Sequence, residues 1–406
     1  MATPRWWSAS LPDDIIEYIL ACLPPKPLIR FRCVRQSWNS KISDPEFINK
    51  HLSMNKAKSL SLDDDDNNNN NNNGYLLCRS PRPVHDPRLI MVRELCTFVC
   101  NTNSNSSLTE ISRLRINPIY HDSSFGFCNG ICYGTITVSH PAPWNFCGTS
   151  YHWHFSKARS LAYHTVRNAG IYLWNPSVRK HKRLPAVLDD DRFNYRSYGL
   201  AFPTSQNNDL KLLVFGCSVN REQLRAQVYT LSTNSWSWVE QPVEPLDGSV
   251  GSRPWIDSSS CLFFNGALHF IATASQGYGF ILCFDVDHEQ FQEIKLPHNF
   301  SLSPELAVFK GSLALIAFDQ DGVCHIWVMG QNGLANSWTP TISVPLPGVK
   351  NFLGCTRSGE LVIMKSDNQV FSFDPVSQNE NGYGILNFTE VVYTANLLES
   401  LLLLNE

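Results

Sequence analysis

Histidines and cysteines gather between positions 121 and 164, where side chains of these types could ligate a zinc ion. The set comprises His121, Cys128, Cys132, His140, Cys147, His152, His154 and His164. Its spacing fits no zinc motif, because Cys128 and Cys132 flank an Asn129-Gly130 turn and are better explained as residues of a β-hairpin. We therefore expect no metal site in this stretch.

Catalytic motifs are absent from the rest of the sequence. The chain carries no G-x-S-x-G, no H-E-x-x-H and no Gly-rich loop of the kind that cradles phosphate. The sequence therefore predicts a protein that is not an enzyme and that needs no cofactor.

Aromatic side chains cluster in the stretch 139–170, which offers the chemistry of a binding surface. The candidates for contact with a target are Trp144, Phe146, Tyr151, Trp153 and Phe155. Exposed aromatic residues on a loop are typical anchors of protein interfaces. The alternative is that these rings pack back onto the domain that carries the loop.

Charge and composition narrow the partner classes. The 406 residues carry a formal net charge of −3, with 12% aromatic and 17% charged residues, a balance that favours β-sheet surfaces. The densest basic run, residues 179–183, is short. Binding to nucleic acid needs many phosphate contacts, so we expect no nucleic-acid partner.

The cysteines and the chain termini predict a compartment. The chain has 13 cysteines without regular spacing, and residues 1–10 have no apolar signal-peptide core, which together favour a reducing environment in the cytoplasm, the nucleus or both. The apolar tail Leu401–Leu404 is far shorter than the roughly 20 residues that span a bilayer. We expect no membrane association.

Two or three short amphipathic helices are predicted near the N-terminus. Ile15, Ile16, Ile19, Leu20 and Leu23 form an apolar stripe at helical spacing. Pro12 suits the first turn of this helix, and Pro24-Pro25 ends it. A second helix is predicted to run from about Pro27 through Trp38, and Asp44-Pro45-Glu46 to open a third as N-cap, N1 and N2.

These helices carry more large apolar side chains than so small a unit shields by itself. A unit of about 40 residues lies near the lower limit for independent folding. Leaving several Ile, Leu or Phe side chains wet forgoes about 1.5 to 3 kcal/mol each. Either another polypeptide covers them, or the unit packs on the remainder of the chain.

The remainder of the chain predicts a mostly β protein with a propeller-like domain. Residues 59–74 form a low-complexity Asp/Asn linker that cannot bury apolar area. After it, strand pairs with turns at Asn175, Ser232, Asp285 and Asp374 recur with a period of about 45 to 55 residues, which is typical of propeller blades. The stretch 325–340 supplies a further copy, and six or seven blades fit.

The N-terminal pattern resembles the F-box motif. The matching residues are Leu11-Pro12, Ile15-Ile16, Ile19-Leu20, Leu23-Pro24, Leu28, Phe31, Arg32, Val34 and Ser37-Trp38. The rest resembles plant F-box proteins with an F-box-associated or kelch-like domain, a group that includes the S-locus F-box proteins. The residues that carry this second likeness are Asn129-Gly130, Trp174-Asn175-Pro176, Arg179-Lys180, Val228-Tyr229, Ser235-Trp236, Phe264-Asn265-Gly266, His269, Tyr393 and Ser400-Leu401.

The resemblance implies an F-box at 1–58, a linker at 59–74 and a substrate-binding β domain at 75–406. It implies the substrate receptor of an SCF-type ubiquitin ligase, which binds a Skp-type adaptor and, through it, a cullin and a RING subunit, while the β domain holds a target protein. The adaptor-facing residues would be Leu11, Pro12, Ile16, Leu20, Pro24, Leu28, Val34 and Trp38. Two alternatives stay open: an enzyme with its active site at the mouth of a propeller, and a scaffold without a role in ubiquitination.

Overall fold

The computed structural model describes most of the helices and strands of this chain. The described residues are 11–61, 74–79, 93–101, 107–116, 125–128, 131–136, 170–188, 193–203, 209–218, 224–239, 255–273, 279–297, 302, 304–330, 338–385, 388, 390–395 and 399–403. Helices come first along the chain, and every later element is a strand.

Four helices form the N-terminal part, which we call the helical unit (residues 11–61). They are α1 Asp13–Ala21, α2 Pro25–Phe31, α3 Gln36–Ile42 and α4 Pro45–Ser61. The predicted start of the last helix is confirmed, because Asp44 Oδ1 accepts a hydrogen bond from the Glu46 backbone N–H at 2.9 Å. α4 continues to Ser61, past the predicted domain boundary at residue 58.

The prediction of one continuous second helix through Trp38 is wrong. α2 ends at Phe31, and α3 begins at Gln36 after Arg35, which is extended at φ −152° and ψ 139°. The chain therefore changes direction between the two helices, so Val34 leaves the apolar stripe that holds Leu28. Trp38 remains close to Phe31, with their ring centroids 5.4 Å apart.

Twenty-four strands follow in the described part of the chain. They are β1 Gly74–Arg79, β2 Arg93–Asn101, β3 Ser107–Ile116, β4 Phe125–Cys128, β5 Ile131–Ile136, β6 Gly170–Asn175, β7 Lys180–Arg183, β8 Phe193–Ala201, β9 Lys211–Ser218, β10 Leu224–Thr230, β11 Ser235–Trp238, β12 Trp255–Phe264, β13 Ala267–Thr273, β14 Gly279–Asp285, β15 Gln290–Lys295, β16 Pro304–Phe309, β17 Ser312–Phe318, β18 Val323–Met329, β19 Trp338–Pro345, β20 Val349–Cys355, β21 Leu361–Lys365, β22 Gln369–Phe373, β23 Glu380–Ile385 and β24 Glu390–Thr394.

These strands form six four-stranded sheets within the described residues, where the sequence predicts six or seven blades. Sheet 1 contains β24, β1, β2 and β3; sheets 2 to 6 take the strands β4–β7, β8–β11, β12–β15, β16–β19 and β20–β23. Each sheet has one terminal strand that contacts the terminal strands of the two neighbouring sheets. These contacts follow the cyclic order β24, β4, β8, β12, β16, β20 and back to β24. Because β24 pairs with β1, the last and first strands of the ring are hydrogen-bonded to each other. The prediction of a mostly β, propeller-like domain is confirmed.

The turns between strands follow the chemistry of their residues. Asn265 and Gly266 join β12 to β13 with φ of 48° and 76°, the left-handed pair that a two-residue hairpin requires. Asn175, Asp285 and Asp374 each stand at the turn between the third and fourth strands of a sheet. The Oδ1 atom of each accepts a 2.9 Å hydrogen bond from the backbone N–H two residues later.

The helical unit packs directly on the propeller. One continuous hydrophobic cluster contains residues of all three parts of the chain: Leu20, Ala21, Leu28, Ile42, Phe47, Ile48 and Leu52 of the helices, Ile171, Leu173, Val178, Leu200 and Leu212 of sheets 2 and 3 and their turns, and Leu401, Leu402 and Leu403 near the C-terminus. The inner side of the helices is therefore covered by the chain itself.

We expect Leu28→Ala to destabilise the helical unit by about 2 to 5 kcal/mol, because Leu28 is 0% exposed and its truncation leaves a cavity. Val34→Ala is the matched control, since Val34 is 67% exposed and should change the free energy of unfolding by less than about 0.5 kcal/mol. Chemical denaturation followed by helical circular dichroism measures both. Equal stability of the two variants would contradict this packing.

A second prediction concerns pH. His269 on β13 is 5% exposed, and burial lowers its pKa to about 4. The unfolded chain therefore takes up a proton near the ordinary histidine pKa of about 6.5, while the folded chain does not. The stability that the neutral ring contributes is complete above pH 6.5 and is lost as the pH falls towards 4, with a loss of about 2 kcal/mol between pH 7.5 and pH 5. Urea denaturation at both pH values should show this loss in the wild type, and a correspondingly smaller loss in His269→Gln. The same pH dependence in both proteins would show that His269 is not the cause of the loss.

Candidate functional site

The outer face of α1 is apolar and exposed. Ile15, Tyr18 and Ile19 are 44%, 58% and 46% exposed, and their spacing of i, i+3 and i+4 places them along one side of the helix. Leu11, two residues before the start of α1, is 56% exposed. Val34, in the connection between α2 and α3, is also exposed. We call these five residues the exposed apolar set.

The exposed apolar set is unusual for this chain. Seven large hydrophobic side chains are exposed among the described residues, and five of them lie between positions 11 and 34. The other two are Leu188 and Val376. Clustered apolar exposure of this kind marks interaction surfaces, whereas single exposed residues need no explanation.

Ion pairs hold α1 in place beneath this surface. Glu17 accepts hydrogen bonds from Lys50 Nζ at 2.6 Å and from Lys41 Nζ at 3.2 Å, which ties α1 to α4 and α3. Lys41 also donates to the Asp13 carbonyl at 3.3 Å. The hydrogen bond from Lys50, followed by that from Lys41, lowers the pKa of Glu17, so the carboxylate stays ionised at neutral pH. Pairs this exposed add little stability individually, but they fix the direction in which α1 presents its outer side.

The predicted adaptor-facing residues divide into three groups. Leu11, Pro12, Pro24 and Val34 are exposed, and Ile16 and Trp38 are half-buried. Leu20 and Leu28 are 2% and 0% exposed, so they lie in the interior of the helical unit instead of on its surface. They are buried because the inner side of the helices packs on the propeller, a contact that helical spacing alone does not reveal.

Sequence reasoning left Ile15, Tyr18 and Ile19 out of the predicted site. The signal was present in their own spacing of i, i+3 and i+4, which places these three residues on one side of α1. The buried stripe and the exposed stripe both obey helical periodicity, so the sequence does not say which one faces the propeller.

The predicted target-binding residues Trp144, Phe146, Tyr151, Trp153 and Phe155 lie outside the described residues. The strands before and after the stretch 139–170 are nevertheless described. Ile136 at the end of β5 pairs with Gly170 at the start of β6. β6 then runs to Asn175, so Gly170 lies about 17 Å from the strand end that contacts the C-terminal residues.

A buried cysteine and histidine lie close together on sheet 4, and their pKa values argue against nucleophilic chemistry. Cys283 Sγ is 3.7 Å from His269 Nε2. Burial raises the pKa of the Cys283 thiol to about 11 and lowers that of the His269 ring to about 4. Both groups are thus neutral at pH 7, whereas a catalytic cysteine is a thiolate activated by a nearby base.

Ser343, His325 and Asp319 form a hydroxyl–imidazole–carboxylate array at one end of sheet 5. His325 Nδ1 is 3.0 Å from Ser343 Oγ, and His325 Nε2 is 3.0 Å from Asp319 Oδ2. The hydrogen bond with His325 is the main cause of the lowered pKa of Asp319. Ser343 is exposed on β19, the outermost strand, while catalytic serines act in water-excluded sites beside fixed oxyanion donors. We interpret the array as a cross-strand polar contact.

Among the residues that the structure describes, no three or more His, Cys, Asp or Glu side chains are grouped so that they could hold a metal ion. Of the histidines and cysteines between positions 121 and 164, for which the sequence predicts no metal site, only Cys128 and Cys132 fall in the described part of the chain, in the β4–β5 hairpin. None of the described helices has the length and hydrophobicity needed to cross a membrane.

Comparisons with known proteins agree with this architecture. Residues 9–50 match the F-box domain, and residues 135–382 match the family described as the F-box associated beta propeller domain. An F-box/kelch-repeat protein of Arabidopsis thaliana is 23% identical over 352 residues, which cover 85% of this chain and 81% of that protein. An F-box protein of the same organism is 26% identical over 376 residues, covering 90% of this chain and 80% of its own length.

Solved structures show only a distant likeness. TolB from Acinetobacter baumannii has a TM-score of 0.40 and 12% identity, and the match covers 79% of this chain and 65% of TolB. We infer no function from it. The family matches cover most of the helical unit and more than half of the whole chain, and they show that this chain belongs to the F-box proteins with an F-box associated β-propeller domain.

Proposed function

We propose that this protein is the substrate-recognition subunit of an SCF-type E3 ubiquitin ligase. The helical unit, which is its F-box, binds a Skp-type adaptor, and the adaptor connects it to a cullin and a RING subunit. The propeller holds a target protein. The observation that carries this proposal is the exposed apolar set on an F-box whose inner side is already covered by the chain itself.

The exposed apolar set has the chemistry of a protein-binding surface. Covering two or three of its side chains with a partner contributes about 1.5 to 3 kcal/mol for each, which suffices to make them the dominant contacts of an interface. Pro12 and Pro24 are exposed beside the set and extend the surface. Leu20 and Leu28 are core residues of the same helical unit and do not belong to this surface.

A receptor subunit acts by proximity and needs no catalytic groups. It raises the effective concentration of the target near a ubiquitin-loaded enzyme, which converts a bimolecular encounter into a local one. The neutral Cys283–His269 pair and the exposed Ser343 agree with this role. We place its action in the cytoplasm, the nucleus or both, without nucleic acid or a membrane as a partner.

The stretch 139–170 is our proposed target-binding loop. Its flanking strand ends are paired, Ile136 at the end of β5 with Gly170 at the start of β6. Gly170 lies at the opposite end of β6 from Asn175. We propose Trp144, Phe146, Tyr151, Trp153 and Phe155 as the residues of the loop that contact the target.

The two alternatives make different predictions. A propeller enzyme would turn over a substrate without an adaptor, and a scaffold without a ubiquitin role would bind the adaptor but recruit no cullin. Reconstitution with purified adaptor, cullin and RING subunit distinguishes all three.

We expect the double variant Ile15→Asp/Ile19→Asp to lose at least 100-fold in affinity for a purified Skp-type adaptor. Each side chain is exposed in the free chain, so the variant should fold normally while placing two charges in the apolar interface. Val376→Asp is the matched control, because Val376 is an exposed apolar residue on the propeller. Isothermal titration calorimetry gives the affinities, and an unchanged Kd in the double variant would refute the proposed surface.

Replacing residues 139–169 by a short Gly-Ser turn between Val138 and Gly170 should abolish target capture and leave the adaptor Kd unchanged. The strand ends are already paired, so a short turn can close β5 onto β6. Affinity purification from plant cells, compared with the full chain and with a chain lacking the F-box, identifies the proteins that depend on the loop. Retention of the same set of proteins would contradict the assignment of target binding to this loop.

A further inference from the structure

The segment Glu399–Leu403, which we call the C-terminal strap, belongs to no helix or strand, and yet it is buried from Ser400 onward. Ser400 and Leu401 are 0% exposed, and Leu402 and Leu403 are 8% and 6% exposed. Buried irregular backbone needs hydrogen-bond partners, because its polar groups cannot bond to water. The partners of the strap show what it does.

Asn175 supplies partners for the strap from the propeller side. Its Nδ2 atom donates to the Ser400 carbonyl at 3.0 Å and to the Leu402 carbonyl at 2.8 Å, and it lies 3.2 Å from Ser400 Oγ. The Asn175 side chain is fully buried. Its other amide atom, Oδ1, accepts from the Ser177 backbone N–H and shapes the turn between β6 and β7.

Asn175 differs chemically from its counterparts in other sheets. Asp285 and Asp374 stand at equivalent turns and make the same bond through Oδ1. A carboxylate suffices to shape the turn, but it cannot donate a hydrogen bond to a carbonyl. The amide at position 175 is therefore explained by the strap and not by the turn.

The helical unit holds the strap from the opposite side. Asn55 Nδ2 on α4 donates to the Glu399 carbonyl at 3.0 Å. Leu401, Leu402 and Leu403 share their hydrophobic cluster with residues of α1, α2 and α4. Leu403 has a φ of 62°, a conformation that costs a non-Gly residue about 1 to 3 kcal/mol and persists only when surrounding contacts enforce it.

We infer that the C-terminal strap is a clamp, latched by Asn175, that fixes the helical unit on sheet 2 so that F-box and propeller move as one body. A linker of the length of residues 62–73, acting alone, would let the two parts separate by about 20 Å in varying directions. The clamp removes this freedom. The fixed orientation stands by itself, while its consequence, a constant distance between adaptor and bound target, rests on the proposed function.

The test uses the full chain bound to a Skp-type adaptor. Asn175→Asp keeps the acceptor that shapes the turn and removes both donations to the strap carbonyls. Asp374→Asn is the matched control, since it makes the reverse exchange at an equivalent turn that does not touch the strap. Spin labels are introduced through unnatural amino acids at the exposed positions Ser53 and Val376. Double electron–electron resonance spectroscopy then measures the distance between the helical unit and the propeller.

We expect one narrow distance distribution in the wild type and in Asp374→Asn, and a distribution at least twice as broad in Asn175→Asp. Backbone amides of residues 400–403 should exchange with deuterium at least tenfold faster in Asn175→Asp. A distribution as narrow as that of the wild type, with unchanged exchange, would overturn the clamp.

If Asn175→Asp does not fold, the same distances are measured in Leu401→Ala, which loosens the strap and leaves the β6–β7 turn untouched. This variant should broaden the distance distribution in the same way. A distribution as narrow as that of the wild type would overturn the clamp. The adaptor Kd should stay within twofold of the wild type in every variant. Failure of the wild type to bind the adaptor would count against the proposed function but not against the clamp, which is then measured on the free chain.

Discussion

The structure depends on how the apolar side chains of four short helices are covered. A unit of this size has too little interior to bury them all. One side of the helices is sealed by sheets 2 and 3 and by the C-terminal strap, where Leu20, Leu28 and Leu52 become core residues. The other side keeps Leu11, Ile15, Tyr18 and Ile19 in water. The first contact gives the helices a stable position, and the second leaves a surface that a partner can complete.

The covered side also means that the low-complexity linker does not by itself set the position of the helices. A flexible connection is expected between parts that move independently, yet the helices and the propeller share a continuous core. The linker connects the helical unit to the propeller along the chain. The strap, from the far end of the chain, contacts both parts. Asn175 and Ser400 are separated by 225 positions, and their hydrogen bond joins the second sheet to the end of the chain.

Local chemistry made much of this architecture predictable. The cap at Asp44 and the turns at Asp285 and Asp374 depend on neighbouring residues only, and the structure has them as predicted. The break between α2 and α3 was not predicted, because Val34 and Trp38 keep helical spacing while Arg35 is extended. The burial of Leu28 and the role of Asn175 could not be predicted either. Both depend on contacts between distant parts of the chain, which periodicity does not encode.

The central claim is that the exposed side of α1 is the surface on which this F-box protein meets its adaptor. Hydrogen–deuterium exchange of the full chain, with and without a saturating Skp-type adaptor, measures it most directly. Our account predicts that amides of residues 11–19 and of the turn around Val34 become strongly protected, while those of the C-terminal strap do not change. Protection confined to the propeller, or no protection in residues 11–34, would contradict it.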